Sequence, residues 1–131
     1  MENNVSQAQM ATLPYIIAVD FDGTLVEDKF PEIGEPKPEV WLDMVAAQNA
    51  GAKIILWTSR DNDRLKDAVR FCNERGFHFD AINDNLDEVK LMFDNSTRKV
   101  YANEYWDDKA VRCFCLHEDS PFLSRLKVDW R

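Results

Sequence analysis

The sequence that decides the fold is YIIAVDFDGTL, residues 15–25, in which an apolar run leads directly into two aspartates one residue apart. The run has the composition of a strand that is buried on both faces. Asp20 and Asp22 would share one face of an extended backbone, and Gly23 allows the chain to bend sharply just beyond them. Adjacent carboxylates repel each other and resist burial, so this pattern indicates a bound cation or a chemical task.

Length, composition and charge predict one folded domain. The chain has 131 residues, of which 45% are hydrophobic, and this is enough to build a core. We expect a flexible leader over residues 1–12 and a single domain over residues 13–131. The net charge of −8 weighs against non-specific binding to nucleic acid or to an anionic membrane. No apolar run is long enough to span a membrane and the start does not resemble a signal peptide, so we expect a cytoplasmic protein.

The three cysteines are an odd number, which predicts reduced thiols rather than disulfides. Cys113 and Cys115 are one residue apart, and no second pair completes a zinc site. We therefore expect them to be core residues on one face of a strand.

Apolar runs and helical repeats alternate along the chain. Strands are predicted over Leu13–Val19, Ala52–Trp57, Phe77–Ile82 and Val100–Trp106, with a fifth over Val111–Leu116. Helices are predicted over Pro38–Asn49, from Asp61 or Asn62 to Gly76, over Leu86–Phe93, and after Ser120-Pro121. This order predicts an α/β fold with a doubly wound parallel sheet that has helices on both faces.

Polar residues follow three of the predicted strands at their carboxyl ends. Asp20 and Asp22 follow the first strand, Thr58-Ser59-Arg60 follows the second, and Asp107-Asp108 follows the fourth. Ligands of doubly wound sheets bind beyond the carboxyl ends of the strands, so we expect these side chains to meet in one site.

Metal-assisted phosphoryl transfer requires such a set of residues. Mg²⁺ prefers hard oxygen ligands, usually one or two carboxylates together with water and phosphate. A carboxylate can attack phosphorus and hold it as an aspartyl phosphate, while hydroxyl and cationic groups bind the transferred group. A second acid can protonate the leaving oxygen and later activate water.

The motifs at the strand ends resemble those of the haloacid dehalogenase (HAD) superfamily of phosphohydrolases over about residues 13–110. Asp20–Leu25 looks like the first motif of that superfamily, Ile54–Arg60 its second and Glu104–Lys109 its fourth. Two further segments look like those of small bacterial and phage members, namely Phe30–Pro36 and Lys99–Ala102. The resemblance implies a HAD-like sheet without a full cap domain, and an Mg²⁺-dependent phosphatase.

The resemblance also implies a role for each motif residue. Asp20 would be the nucleophile, and Asp22 the general acid and base that also offers Mg²⁺ its backbone carbonyl. Asp107 would complete the metal site with Asp108 in support. The transferred phosphoryl group or the substrate would be bound by the side chains of Thr58, Ser59, Arg60 and Lys99.

The lysine of the third family motif has two candidates. Lys99 is favoured by the local resemblance, but a strand that rises from Val100 to Asp107 would carry it roughly 25 Å from the site, at about 3.3 Å per residue. Lys99 can therefore lie at the site only if the chain first descends from it and the fourth strand begins near Asn103. Lys90, on the preceding helical segment, is the alternative, whereas Lys109 is expected to be solvated.

A capless site would be open, so the expected substrates are phosphorylated macromolecular ends, phosphoproteins, or small phosphates enclosed by a neighbouring subunit of a homo-oligomer. Two other classes of protein remain alternatives. One is a non-catalytic binding or assembly module on a HAD-like fold, which the acid at Asp22 argues against. The other is a receiver-type phosphoacceptor domain, but the segment Phe79–Ile82 lacks the terminal aspartate that such a domain carries on its third strand.

Overall fold

The computed structural model describes residues 12–93 and 97–110. Four strands and three helices alternate along this part of the chain. In chain order they are β1 (Ile16–Val19), α1 (Pro38–Asn49), β2 (Lys53–Leu56), α2 (Asn62–Glu74), β3 (Ala81–Ile82), α3 (Asp87–Phe93) and β4 (Glu104–Trp106). The strands form one sheet in the order β3-β2-β1-β4, and every neighbouring pair is parallel. The predicted parallel α/β architecture is therefore confirmed.

Both faces of the two central strands are buried, which explains their continuous apolar sequences. Ile17 and Val19 of β1 lie in one core together with residues of α1 and α2, among them Met44 and Cys72. The alternate residues of β1 lie in a second core on the opposite face, where Leu86 and Val89 pack. Burial raises the pKa of the Cys72 thiol to about 12, as expected for an inert core cysteine.

All four described strands are shorter than predicted, and β2 covers Lys53–Leu56 instead of Ala52–Trp57. In the third and fourth strands, other groups use the backbone N–H and carbonyl groups. The fourth strand begins at Glu104, not at Val100, since Asn85 accepts the N–H of Tyr101 and the Tyr105 hydroxyl donates to the carbonyl of Val100. The third strand is Ala81–Ile82 instead of Phe77–Ile82, and the N–H of Phe77 still bonds to the last turn of α2. β1 likewise begins at Ile16 instead of Leu13.

The predicted fifth strand (Val111–Leu116), the terminal helix, Cys113 and Cys115 lie outside the described residues, as do residues 1–11 of the predicted leader. Within the described residues, no helix has the length and apolar character that a membrane crossing requires.

Candidate functional site

The loop after β1 turns sharply within the first motif. The carbonyl of Phe21 accepts hydrogen bonds from the N–H groups of Thr24, Leu25 and Val26, at 3.2, 2.9 and 3.3 Å. Gly23 has a φ of +87°, a left-handed conformation that side chains with a Cβ adopt at a cost. A Cβ at this position would also overlap the Asp108 carboxylate. The glycine therefore permits the bend and the close approach of the loop that follows β4.

The loops after β1 and β4 bring three carboxylates together. Hydrogen bonding between the strands continues to the N–H of Asp20, which donates to the carbonyl of Trp106 at 2.9 Å. The N–H of Asp108 donates to the buried Thr24 hydroxyl at 3.1 Å, which ties the two loops together. One carboxylate oxygen each of Asp20, Asp107 and Asp108 lies within 4.8 Å of the others. This spacing allows the three groups to hold one metal ion.

The environment of Asp20 makes its ionised form less favourable than that of a solvated aspartate in the absence of a cation. Burial is the main reason that its pKa rises from 3.8 to about 7, and the charges of Asp107, Asp108 and Asp22 raise it further. A hydrogen bond from the backbone N–H of Phe21 acts in the opposite direction. Ionised Asp20 therefore needs compensation by a positive charge.

Asp22 points to a different partner, although it lies only two residues away. Arg60 donates to both of its carboxylate oxygens, through Nε to Oδ2 and through Nη2 to Oδ1, each at 2.7 Å. The side chain of Arg60 is 1% exposed and that of Asp22 is 16% exposed. This is a bidentate, largely buried ion pair.

Every N–H of the Arg60 guanidinium has an acceptor. Besides Asp22, the group donates to the backbone carbonyls of Glu32 at 3.0 Å, and of Pro31 and Arg64 at 3.4 Å. A guanidinium has five N–H groups, and these contacts use all of them. The predicted role of Arg60 in substrate binding is therefore not supported by its contacts.

The second motif follows β2 as predicted. The N–H of Trp57 bonds to the carbonyl of Val19 at 2.9 Å, and the N–H of Thr58 bonds to the side-chain oxygen of Asn83 at 2.8 Å. Asn83 follows β3 and has a φ of +51°. These contacts fix the backbone on which the hydroxyls of Thr58 and Ser59 are carried.

A cavity of 670 Å³ joins the strand ends. Its walls include five of the residues predicted for the site, which are Asp20, Asp22, Thr58, Ser59 and Asp107. The prediction that the three strand ends meet in one place is thus consistent with the geometry. Asp28, Phe30 and Lys109 also line the cavity. The first two were not predicted as site residues because their loop lacks periodicity, although the segment that begins at Phe30 was one of those that resemble HAD members.

Neither candidate for the third-motif lysine lines this cavity in the described structure. β4 begins at Glu104, close to the start near Asn103 that the role of Lys99 requires. The Lys99 ammonium, however, lies 4.9 Å from the centroid of the Tyr105 ring, and Lys99 lines a separate pocket. Lys90 is paired with Asp84 at 2.7 Å. Lys109 lines the cavity, and its side chain is exposed to solvent as the sequence predicted.

Lys109 is 73% exposed, and its Nζ lies 3.5 Å from Asp108 and 3.8 Å from Asp28. The Asp108 charge is the main reason that the pKa of Lys109 is raised. The side chain connects the loop after β4 with the loop that follows the first motif. Its position beside two carboxylates provides a positive charge at the cavity wall.

Comparison with known proteins identified one informative similarity. No family model matches the chain, and no curated protein matches it. A solved structure of a conserved protein from Bacteroides thetaiotaomicron is similar, with 38% sequence identity and a TM-score of 0.65. The match covers 73% of this chain and 77% of the other. With this identity over most of both chains, the protein belongs to the same family as the conserved Bacteroides thetaiotaomicron protein.

Proposed function

We propose that the chain is an Mg²⁺-dependent phosphohydrolase of the HAD type, with a doubly wound, capless HAD-like domain. The observation that carries the proposal is the placement of Asp20. Its carboxylate lies within 4.8 Å of those of Asp107 and Asp108, in a cavity that Asp22 and Thr58 also line. A nucleophile, a metal-ligating group, a second acid and a hydroxyl donor are the components that phosphoryl transfer through an aspartyl phosphate requires.

The donor set fits Mg²⁺. Carboxylate oxygens are hard ligands, and three of them approach one point from two loops. Burial is the main cause of the raised pKa of Asp20 and the neighbouring carboxylates add to it, and a divalent cation would offset both effects. Asp20, Asp107 and Asp108 would hold the ion together with the backbone carbonyl of Asp22. When bound, Mg²⁺ would supply charge neutralisation at the phosphoryl oxygens.

The protein's own groups then account for the reaction. An oxygen of Asp20 attacks phosphorus, and the bond from phosphorus to the leaving oxygen breaks. Both Asp22 oxygens accept hydrogen bonds from Arg60 in the described structure, so Asp22 must first take up a proton from solvent. It then gives this proton to the leaving oxygen and takes one from the water that subsequently attacks the aspartyl phosphate, which releases inorganic phosphate and restores Asp20. The hydroxyls of Thr58 and Ser59 would donate hydrogen bonds to the transferred group.

The cavity favours phosphomonoesters that do not need enclosure by a cap. The connection between β1 and α1 is a loop over residues 20–37, and its Asp28 and Phe30 line the cavity. A phosphorylated macromolecular end would fit such a site, as would a small phosphate covered by a neighbouring subunit.

Hydrolysis of an aryl phosphate with and without Mg²⁺ tests the proposal. We expect turnover that requires the metal and is abolished by Asp20→Asn. Asp67→Asn is the matched control, because Asp67 forms only an exposed pair with Arg70 on α2. Turnover that persists in a chelator would refute the mechanism. Mg²⁺ binding without turnover of any phosphomonoester in a broad panel would instead favour the non-catalytic binding module.

A further inference from the structure

We propose that Phe30 is a specificity-determining residue, which selects phosphomonoesters whose organic group carries an aromatic ring. The inference rests on the proposed function, because it takes the phosphoryl group to lie at Asp20 and the organic group to occupy the rest of the cavity. The cavity of 670 Å³ is much larger than one phosphoryl group and has the size of sites for small organic ligands. Residues that line it away from the strand ends would therefore contact the group that the ester carries.

The apolar part of the cavity wall is aromatic. Two of the nine residues that line the cavity are apolar, namely Phe30 and Trp57. Trp57 is partly buried and packs against the core that contains Leu86 and Val89. Phe30 belongs to neither core of the described structure, and it is 57% exposed. In an otherwise polar cavity, Phe30 therefore offers its ring to a ligand rather than to the core.

The Phe30 ring is held in place although it is exposed. The guanidinium carbon of Arg60 lies over the ring, 5.0 Å from its centroid. That guanidinium in turn donates to the carbonyls of Pro31 and Glu32, the two residues that follow Phe30 in the chain. The N–H of Phe30 donates to the Asp28 side chain at 3.3 Å. A ring that is fixed before the ligand arrives loses little freedom on binding, so more of the contact energy appears as affinity.

An aromatic ring is the ligand group that gains most from this contact. Offset or edge-on packing of two rings adds to the effect of burying their apolar surface. Stacking of a base on a protein ring accounts for about 10- to 100-fold in affinity. A small hydroxylated ester, such as a glycerol phosphate, would use the polar wall and leave the Phe30 ring in water. Small aromatic esters and nucleotides both carry the required ring, and matched substrate pairs tell them apart.

A purely structural role for Phe30 predicts a different result. The ring covers the Arg60 guanidinium, so its loss would disturb the ion pair with Asp22 and lower activity towards all phosphomonoesters alike. Loss of a ligand contact would lower kcat/KM only for esters that carry a ring. The ratio of kcat/KM between two esters with the same type of alkoxide leaving group isolates this contact, because the reactivity of the ester bond cancels.

The test uses two pairs of substrates that differ in the presence of an aromatic ring, with Mg²⁺ added. Adenosine 5′-monophosphate is compared with ribose 5-phosphate, and 2-phenylethyl phosphate with ethyl phosphate. In the wild type we expect kcat/KM to be at least about 10-fold higher for the ring-bearing member of one pair or of both. Phe30→Ala should reduce that preference to less than about 3-fold, mainly through KM, whereas Phe30→Tyr should retain it. A preference in the first pair alone identifies a nucleotide, and one in the second pair alone a small aromatic ester.

The controls address folding and general surface effects. Leu42→Ala is the matched control, because Leu42 is a large apolar residue of similar exposure, 64%, that does not line the cavity. It should leave kcat/KM unchanged for all four substrates. Phe30→Leu keeps an apolar side chain beside Arg60 and removes the ring, so it carries the comparison if Phe30→Ala does not fold. It should lower the preference at least about 3-fold.

The outcomes separate the two proposals. Equal kcat/KM within both pairs in the wild type would overturn the specificity, as would equal losses for all four substrates in Phe30→Ala, while an active wild type upholds the phosphatase. If the wild type hydrolyses no phosphomonoester, calorimetry with Mg²⁺ measures binding of the same four phosphates. Tighter binding of the ring-bearing members that depends on Phe30 would uphold the contact although the proposed function fails. Equal binding, or none, would overturn both.

Discussion

Asp20→Asn should make the protein more stable when no metal is present. The ionised carboxylate is partly buried beside Asp107 and Asp108, and among the described residues the hydrogen bond from the N–H of Phe21 favours its charged form. Asparagine has nearly the same shape and no charge. We therefore expect a gain in the free energy of unfolding in a chelator at pH 8, together with loss of the proposed activity, as is common where a site is built at the expense of stability.

The size of the gain follows from the pKa of Asp20. A rise from 3.8 to about 7 corresponds to about 4 kcal/mol at most. Two charges 4.8 Å apart repel each other by about 3 kcal/mol at an effective dielectric constant of about 20. Since the cavity is open to water, which screens this repulsion, we expect a net gain of about 2 kcal/mol.

The sign of the pH dependence follows from proton binding. The unfolded chain loses the Asp20 proton near pH 4, whereas the folded chain keeps it until about pH 7. The folded state binds the extra proton in between, so Asp20 causes stability to fall as the pH rises through this window. The difference between the variant and the wild type should therefore be small near pH 4 and fully developed above pH 7.

Urea denaturation in EDTA at several pH values measures this difference, with Asp67→Asn as the control for a change in surface charge. Added Mg²⁺ should stabilise the wild type more than the variant, because the variant lacks one ligand. The reasoning would be refuted if Asp20→Asn were less stable than the wild type in EDTA at pH 8, or if the difference did not shrink towards pH 4.

Three further variants test how the proposed metal site is built. Gly23→Ala should lower stability by about 1–2 kcal/mol because of its positive φ, and should weaken Mg²⁺ binding in calorimetry because the new Cβ displaces Asp108. Thr24→Val removes the acceptor of the Asp108 N–H and should cost about 1 kcal/mol in urea denaturation, with weaker Mg²⁺ binding. Lys109→Met should leave the melting temperature almost unchanged but should tighten Mg²⁺ binding, because the exposed ammonium competes for the Asp108 charge. Unchanged metal affinity in all three would contradict the assignment of the site.

The sequence predicted the central part of the fold because one physical signal dominates there. β1 and β2 are apolar on both faces, and parallel strands buried on both faces require such runs. Once the strands were placed, the strand-end rule brought Asp20, Thr58 and Asp107 to one edge, and all three line the same cavity. Side-chain chemistry and strand order were sufficient for this step.

The same signals could not predict contacts that depend on irregular loops. Arg60 lies among polar residues between a strand and a helix. This context is typical of a surface arginine, yet Arg60 is 2% exposed. Its acceptors at Pro31 and Glu32 belong to a loop without periodicity. The bounds of β4 were wrong for a related reason, because the side chains that bond to residues 100–102 come from Asn85 and Tyr105.

The two-residue spacing of the first motif gives its two aspartates opposite electrostatic environments. Asp20 faces Asp107 and Asp108, and its raised pKa leaves it in need of a cation. Asp22 has its charge matched within the fold by Arg60, and it contributes least among the three carboxylates that raise the pKa of Asp20. If Asp22 were unpaired, its charge would add to those of the cluster, in which Asp108 has a cation nearby in Lys109 at 3.5 Å, and would increase the cost of folding. Pairing Asp22 with a buried guanidinium therefore lets four carboxylates occupy one edge of the sheet, while the negative charge available to a metal stays concentrated at Asp20, Asp107 and Asp108.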